Sequence, residues 1–407
     1  MSPLQPAPRP TPGRLHPARI LLAAVLASAI ALACADSGDG GGSPAAPATG
    51  RVAVVLTDAP VHDFVQALVT VSRIELLPAT GGGRGDQGPG RQTLFEGLET
   101  FDLLALEHVS EPFAIAEDVP VGTYTGLRLR VEDIELVRLN DDGSTSSVFP
   151  RLPSGRIDLN PRGGFEVLPG ATLALRLDID ARRSIQVVQT GNGRTIFRPV
   201  VFVEVLDATD PGRLITVEGR VDAIDTSVEP AHLRLCEVAI AFRDRRERRD
   251  ESCLGVFVDG ETAIFADSGR PADLDGIDLG ETVAVFGRFV HDDDRRFALE
   301  AEVVELGGSA AFLALTGTIS GAFDEASGTI VVQLDPGQGF VEGTSVEVLL
   351  VPETGLFDSL GERVALGDLG VGAVVELDGV VELSGTLPDL VRAAIVFVRS
   401  PTPPGDL

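Results

Sequence analysis

The chain has 407 residues, and several residue types are scarce or missing. It has no Trp, one Tyr and one Met, and no Lys, so every basic side chain is Arg. Rings make up 5% of the chain, too few for the stacking platforms that single-stranded nucleic acid uses. Glycan-binding surfaces lean on rings in the same way. Basic charge is short as well. Thirty-three bases face 61 acids, a net charge of −28. Such a surface repels nucleic acid and anionic headgroups, and no nucleic-acid partner is expected. His16, His62, His108, His232 and His291 stand apart from one another and from Cys, with no zinc-ligand spacing. No nucleophile elbow, zinc-helix motif or phosphate loop occurs, so the reading is non-enzymatic. The longest uncharged apolar run, 20–33, is too short for a membrane span of about 20 residues.

That run carries information of its own. It follows Arg9, Arg14 and Arg19 with no acid among them, and it ends in small residues before Cys34. A basic start, an apolar centre and a small-residue end describe an export signal. Ile30-Ala31-Leu32-Ala33-Cys34 resembles a lipobox, in which the Cys is lipidated and becomes the mature N-terminus. Residues 1–33 are thus read as signal and 34–49, rich in Gly, Ser, Ala and Pro, as a flexible tether. The expected location is the cell envelope, lipid-anchored, at the outer membrane or cell surface. The membrane is then a partner through the lipid alone.

Two further cysteines, Cys236 and Cys253, form an even pair in an oxidising compartment. They flank a charge-dense stretch, read as two strands joined by a hairpin and closed by a disulfide. Two separate buried thiols are the other reading.

After residue 50 helical periodicity is almost absent and alternation with period two is common. Leu127, Leu129 and Val131 alternate with Arg128, Arg130 and Glu132. Leu173, Leu175, Leu177 and Ile179 alternate with more polar neighbours. Such segments are strands with one wet and one dry face. Turn signals separate them, so the fold class is all-β, built of sandwiches or barrels. A short helix is expected over 61–67, after TDAP.

The unit 50–206 carries GRVAVVLTDAP at 50–60, ALVTVSRIELLP at 67–78 and TFDLLAL at 100–106. It continues with VPVGTYTGLRLRVE at 119–132, VLPGATLALRLDIDARRSI at 167–185 and GNGRTIFRPVVFVEV at 191–205. Together these resemble the domain of unknown function 4382. The resemblance implies an envelope β-sandwich, transthyretin- or immunoglobulin-like, and no known activity. Within it Tyr124, after Gly122, reads as structural, its ring in the core and its hydroxyl on a nearby backbone group.

The remainder repeats itself. ITVEGRVDAID (215–225) aligns with LALTGTISGAFD (313–324), ETAIF with ETGLF, and LGETVAVFG (279–287) with VGAVVELDG (371–379). The period is about 98 residues, long enough for tandem domains. The copies 214–307 and 312–400 resemble the domain of unknown function 5666, which implies two small OB-like β-barrels. Residues 401–407 are read as a disordered tail.

Carboxylates are the remaining candidates for chemistry. Asp58, Asp178 and Asp180 could offer oxygen ligands to calcium. Turn-capping by Asp58 and an Arg partner for Asp180 are the plainer roles. No other cofactor is expected. The leading expectation is a binding or scaffold module for an envelope protein or polymer. A calcium-stabilised adhesion module and a carboxylate-dependent hydrolase of an envelope polymer are the alternatives. The anchor is tested by intact mass: the mature chain should begin at Cys34 and carry acyl mass, and an unmodified N-terminus elsewhere would contradict it.

Overall fold

The computed structural model describes residues 48–58, 64–79, 90–106, 108–140, 144–161, 163–186, 196–206, 212–238, 241–242, 253–336, 338, 340–341, 343–384 and 387–399. It is all-β, with sheets in the N-terminal part and two closed five-stranded barrels in the C-terminal part.

The N-terminal strands are β1 (Thr49–Asp58), β2 (Gln66–Pro78), β3 (Gln92–Asp102), β4 (Glu111–Pro120), β5 (Gly122–Leu139) and β6 (Thr145–Val148). They continue with β7 (Arg156–Leu159), β8 (Phe165–Val167), β9 (Thr172–Ile179), β10 (Ile185–Gln186), β11 (Ile196–Phe197) and β12 (Val201–Val205). One sheet runs β12-β9-β1-β4, with β1 and β9 parallel. The other runs β3-β2-β5-β6, with β7 and β8 also on β5. Val52, Val54 and Leu56 from the first meet Val69, Val71, Leu127 and Leu129 from the second in one core. The alternation along β5 slips between Val131 and Ile134, where its register to β2 also shifts. A bulge of this kind re-aims the side chains that follow it. The helix expected over 61–67 is corrected in its described part: the strand signal of QALVTV prevails, and Gln66 and Ala67 already belong to β2. Residues 61–63 lie outside the described residues.

The apolar run VAVVL in β1 has no wet face. Val52 to Val55 are fully buried. Ala53 and Val55, with Ile115 and Ala174, point away from the sandwich core and join a second core. Its other members, Ile215, Val217 and Leu233 among them, come from the next domain. A strand covered on both sides needs a continuous apolar run, and β1 supplies one.

The first barrel uses β13 (Ile215–Asp225), β14 (Ala231–Cys236), β16 (Leu254–Val258), β19 (Thr282–His291) and β20 (Phe297–Leu306). Short β15 (Ala241–Phe242), β17 (Ala263–Phe265) and β18 (Pro271–Ala272) lie between them. The order is β16-β14-β13-β19-β20, closed by the parallel pair β16–β20. The second barrel uses β21 (Leu313–Asp324), β22 (Thr329–Leu334), β23 (Ser345–Leu349), β25 (Val374–Ser384) and β26 (Leu387–Arg399), with β24 (Gly355–Asp358) added on β26. Its order, β23-β22-β21-β25-β26 closed by β23–β26, is the same OB-like connectivity.

The repeat extends to detail. Gly287 faces Ala301 and Gly379 faces Ala393, each at a register shift. A Cβ at Gly287 would meet the Glu300 carbonyl oxygen at 2.5 Å, and one at Gly379 the Arg392 oxygen at 2.6 Å. Thr262 and Thr354 each donate a hydroxyl to the matching Ala301 or Ala393 carbonyl, at 2.9 and 3.0 Å.

Cys236 and Cys253 are bonded, with Cα atoms 4.0 Å apart, at the end of the antiparallel pair β14–β16. In the segment between them, β15 pairs in parallel with β4 of the sandwich. A closed loop of this size stabilises a fold by about 3 kcal/mol in the chain-entropy model. Replacing both cysteines by Ser should lower the denaturant midpoint accordingly. An unchanged midpoint would contradict a structural role for the bond.

Candidate functional site

The sandwich and both barrels meet at one junction. Ser110 of the sandwich accepts Thr216 N–H (2.8 Å) and donates its own N–H to Leu214 (2.7 Å). Arg213 donates to the Thr57 hydroxyl at 2.8 Å. Around these bonds lies a further apolar core. It joins Val109 to Phe265, Phe286 and Val303 of the first barrel and to Phe357, Ile395 and Phe397 of the second. Ring centroids of Phe397 lie 6.3 Å from Phe286 and 6.1 Å from Phe357. At the barrel–barrel contact Arg288 binds Glu302 at 2.7 Å and the Gly361 carbonyl at 2.8 Å, and Arg363 also reaches Glu302.

A cleft of about 530 Å³ opens at this junction. Leu104, Val109 and Glu111 line it from the sandwich. The barrels line it with equivalent positions of the repeat: Thr216 and Ala314, Glu218 and Thr316, Ala284 and Glu376, Phe286 and Asp378, Glu305 and Phe397. The two outer faces are therefore the same face of each barrel. Register explains the grouping. Glu218, Ala284 and Glu305 form one row across β13, β19 and β20. Thr316, Glu376 and Phe397 form the corresponding row across β21, β25 and β26.

The cleft gathers acids: Glu305 is buried, Glu376 and Asp378 are partly buried, and Glu111 and Glu218 are exposed. Glu305 is 1% exposed, and its Oε1 has no hydrogen-bond partner. Burial raises its carboxyl well above the ordinary range, and the charges of Asp378 and Glu218 add to the shift. Burial pushes Asp378 up to about 6, and partial desolvation raises Glu111, which is otherwise exposed. Glu218 is held by the Ser309 N–H at 2.6 Å. Glu376 lies 3.4 Å from His108 Nε2. His108 is buried and stacked on Phe397 at 5.8 Å. Burial, then the charges of Arg399 and Arg213, lower it to about 3, so it is neutral at physiological pH. Among the described residues no group of three His, Cys, Asp or Glu is placed to hold a metal ion.

The acids named from the sequence lie elsewhere. Asp58 ends β1, and its side chain is outside the described residues. Asp178 sits beside Thr57 in the parallel register; it is half-buried, and its Oδ1 has no hydrogen-bond partner. Burial raises its carboxyl, against the charges of Arg213 and Arg176. Asp180 opens the short helix α1 (Ala181–Ser184), accepting the Arg183 N–H at 2.8 Å and pairing with Arg183 Nε at 3.4 Å. None of the three lines the cleft. Tyr124 is fully buried and donates its hydroxyl to the Pro120 carbonyl at 2.8 Å. Gly122, at φ 148°, lets the chain turn into β5 ahead of it.

The cleft acids escape a sequence reading because they alternate with Val and Leu, as on any wet strand face. One signal was present: the repeat aligns Glu305 with Phe397 and Asp378 with Phe286. A bulky ring at an outward position means that the face is covered.

Residues 49–199 match the family described as Domain of unknown function (DUF4382). No curated protein and no solved structure matches the chain.

A raised carboxyl destabilises the folded state once it ionises. The stability is greatest below the unfolded value of 3.8 and is lost as pH rises towards about 6. Asp378→Asn removes this cost. The variant should be more stable than the parent near neutral pH by on the order of 2 kcal/mol, with the difference closing near pH 4. Urea melts at both pH values read it. A variant less stable near neutral pH would contradict the described burial.

Proposed function

We propose that the chain is a non-enzymatic binding module of the cell envelope, held by a lipid at Cys34, whose ligand enters the cleft between the sandwich and the two barrels. One observation carries the reading. Glu305 keeps a buried carboxyl oxygen without a partner on the wall of a cleft large enough for a small molecule or a side chain. An unsatisfied buried polar group costs about 1–3 kcal/mol, and clefts of about 300–1,000 Å³ are typical of ligand sites. The tether at 34–49 and the resemblance of the repeats to the domain of unknown function 5666 agree with an envelope module. The acid excess argues against nucleic acid.

A second reading rests on the same pair of carboxyls. Glu305 and Asp378 could act as acid and base on an envelope polymer. Turnover of aryl glycosides by the parent, lost in Asp378→Asn, would replace binding with hydrolysis.

Ala284 lies between Glu218 and Glu305, so Ala284→Phe fills the cleft. Parent and variant, each immobilised through the N-terminus, are exposed to solubilised envelope. The parent should retain a component that the variant does not, while both give the same circular dichroism. Equal retention by parent, variant and blank resin would contradict the proposal.

A further inference from the structure

The chemistry of the cleft selects a class of ligand, on the reading that the cleft is a binding site. We infer that it takes an organic cation, an alkylammonium or guanidinium group on a short apolar stem, with the cation between Glu305 and Asp378 and the stem against Phe286 and Phe397.

Glu305 Oε1 is buried and has no donor, and the residue lines the cleft. Asp378 also lines the cleft, close enough for its charge to disfavour the ionised form of Glu305. An ammonium with three donors, or a guanidinium with five, satisfies such oxygens and removes the repulsion together. The row position between Glu218 and Glu305 is Ala284, so the wall is recessed where the head group must sit. Phe286 and Phe397 line the cleft and offer apolar contact area to a stem.

Other ligand classes fit less well. A hard metal ion wants six or more oxygens, and the described residues hold no group of three ligands so placed. An anion would meet Glu111, Glu218, Glu305, Glu376 and Asp378, with Arg399 the basic residue on the lining. A neutral apolar molecule would leave the buried carboxyls unsatisfied.

Binding should be linked to protons. Glu218 already accepts Ser309 N–H, and Glu376 faces a neutral His108. Glu111, an exposed residue on the sandwich side of the cleft, is itself raised by partial desolvation. A cation that enters at acid pH must first release protons from Glu305 and Asp378 to solvent. Affinity therefore rises with pH through the range near 6 in which Asp378 ionises.

The test is calorimetric titration of the mature chain with n-hexylammonium, agmatine, a capped Gly-Lys-Gly peptide, n-hexanol and calcium chloride, near neutral pH and near pH 5. The cations should saturate one site. Binding should fall at least about tenfold at the lower pH, and about tenfold in Glu305→Gln and in Asp378→Asn. Tighter binding of the peptide would identify a protein side chain as the source, and tighter binding of the free amines a small molecule; both support the inference. Cation binding that neither substitution changes would overturn it. So would calcium bound more tightly than every amine. If hexanol alone binds and Ala284→Phe abolishes this, the cation inference fails while the cleft remains a site. If no probe binds and Ala284→Phe retains envelope material as the parent does, both readings fail.

Discussion

The fold depends on one strand, β1, being dry on both sides. β1 lies between β9 and β4, with the sandwich core on one face and the first barrel on the other. Water is excluded from both faces, so neither can be polar, and the run VAVVL follows from that constraint. The barrel is tied down around it. Ser110 bonds to the start of β13, and the tip of the β19–β20 hairpin reaches the sandwich through Thr172 and Arg51. β15 adds a strand beside β4. Each contact removes apolar area or an open strand edge from solvent, and together they set the angle at which the cleft can form.

The second barrel completes the junction by divergence of a repeat. Its backbone keeps the first copy's connectivity, its tight Gly positions and its Thr-to-carbonyl bonds. Its outward side chains have changed. Where one copy has Glu305 the other has Phe397, and where one has Phe286 the other has Asp378. At each of these two paired positions the cleft therefore has an acid on one wall and a ring on the other, and each wall carries one of each. Buried acids lower stability at neutral pH, and the adjoining cluster of phenylalanines offsets this. Such a combination is expected where a site is kept at the expense of stability.

Much of the fold was legible because strands state their faces in a period of two. The sandwich core of β2, β5 and β9, the tandem barrels, the Cys236–Cys253 bond and the buried ring of Tyr124 follow from local pattern. What was illegible depends on contacts between distant segments. The pairing of Ala241–Phe242 with β4 is set by tertiary structure. The cleft was illegible for the same reason. Glu305 and Asp378 look solvated until the two barrels face each other, whereas Asp178 and Asp180, conspicuous in sequence, serve one end of the sandwich.

The central claim is that sandwich and barrels share their cores and act as one body around the cleft. Scanning calorimetry of the mature chain tests it most directly. A shared core predicts one cooperative transition, with calorimetric and van't Hoff enthalpies equal. Separate transitions for sandwich and barrels would contradict the account.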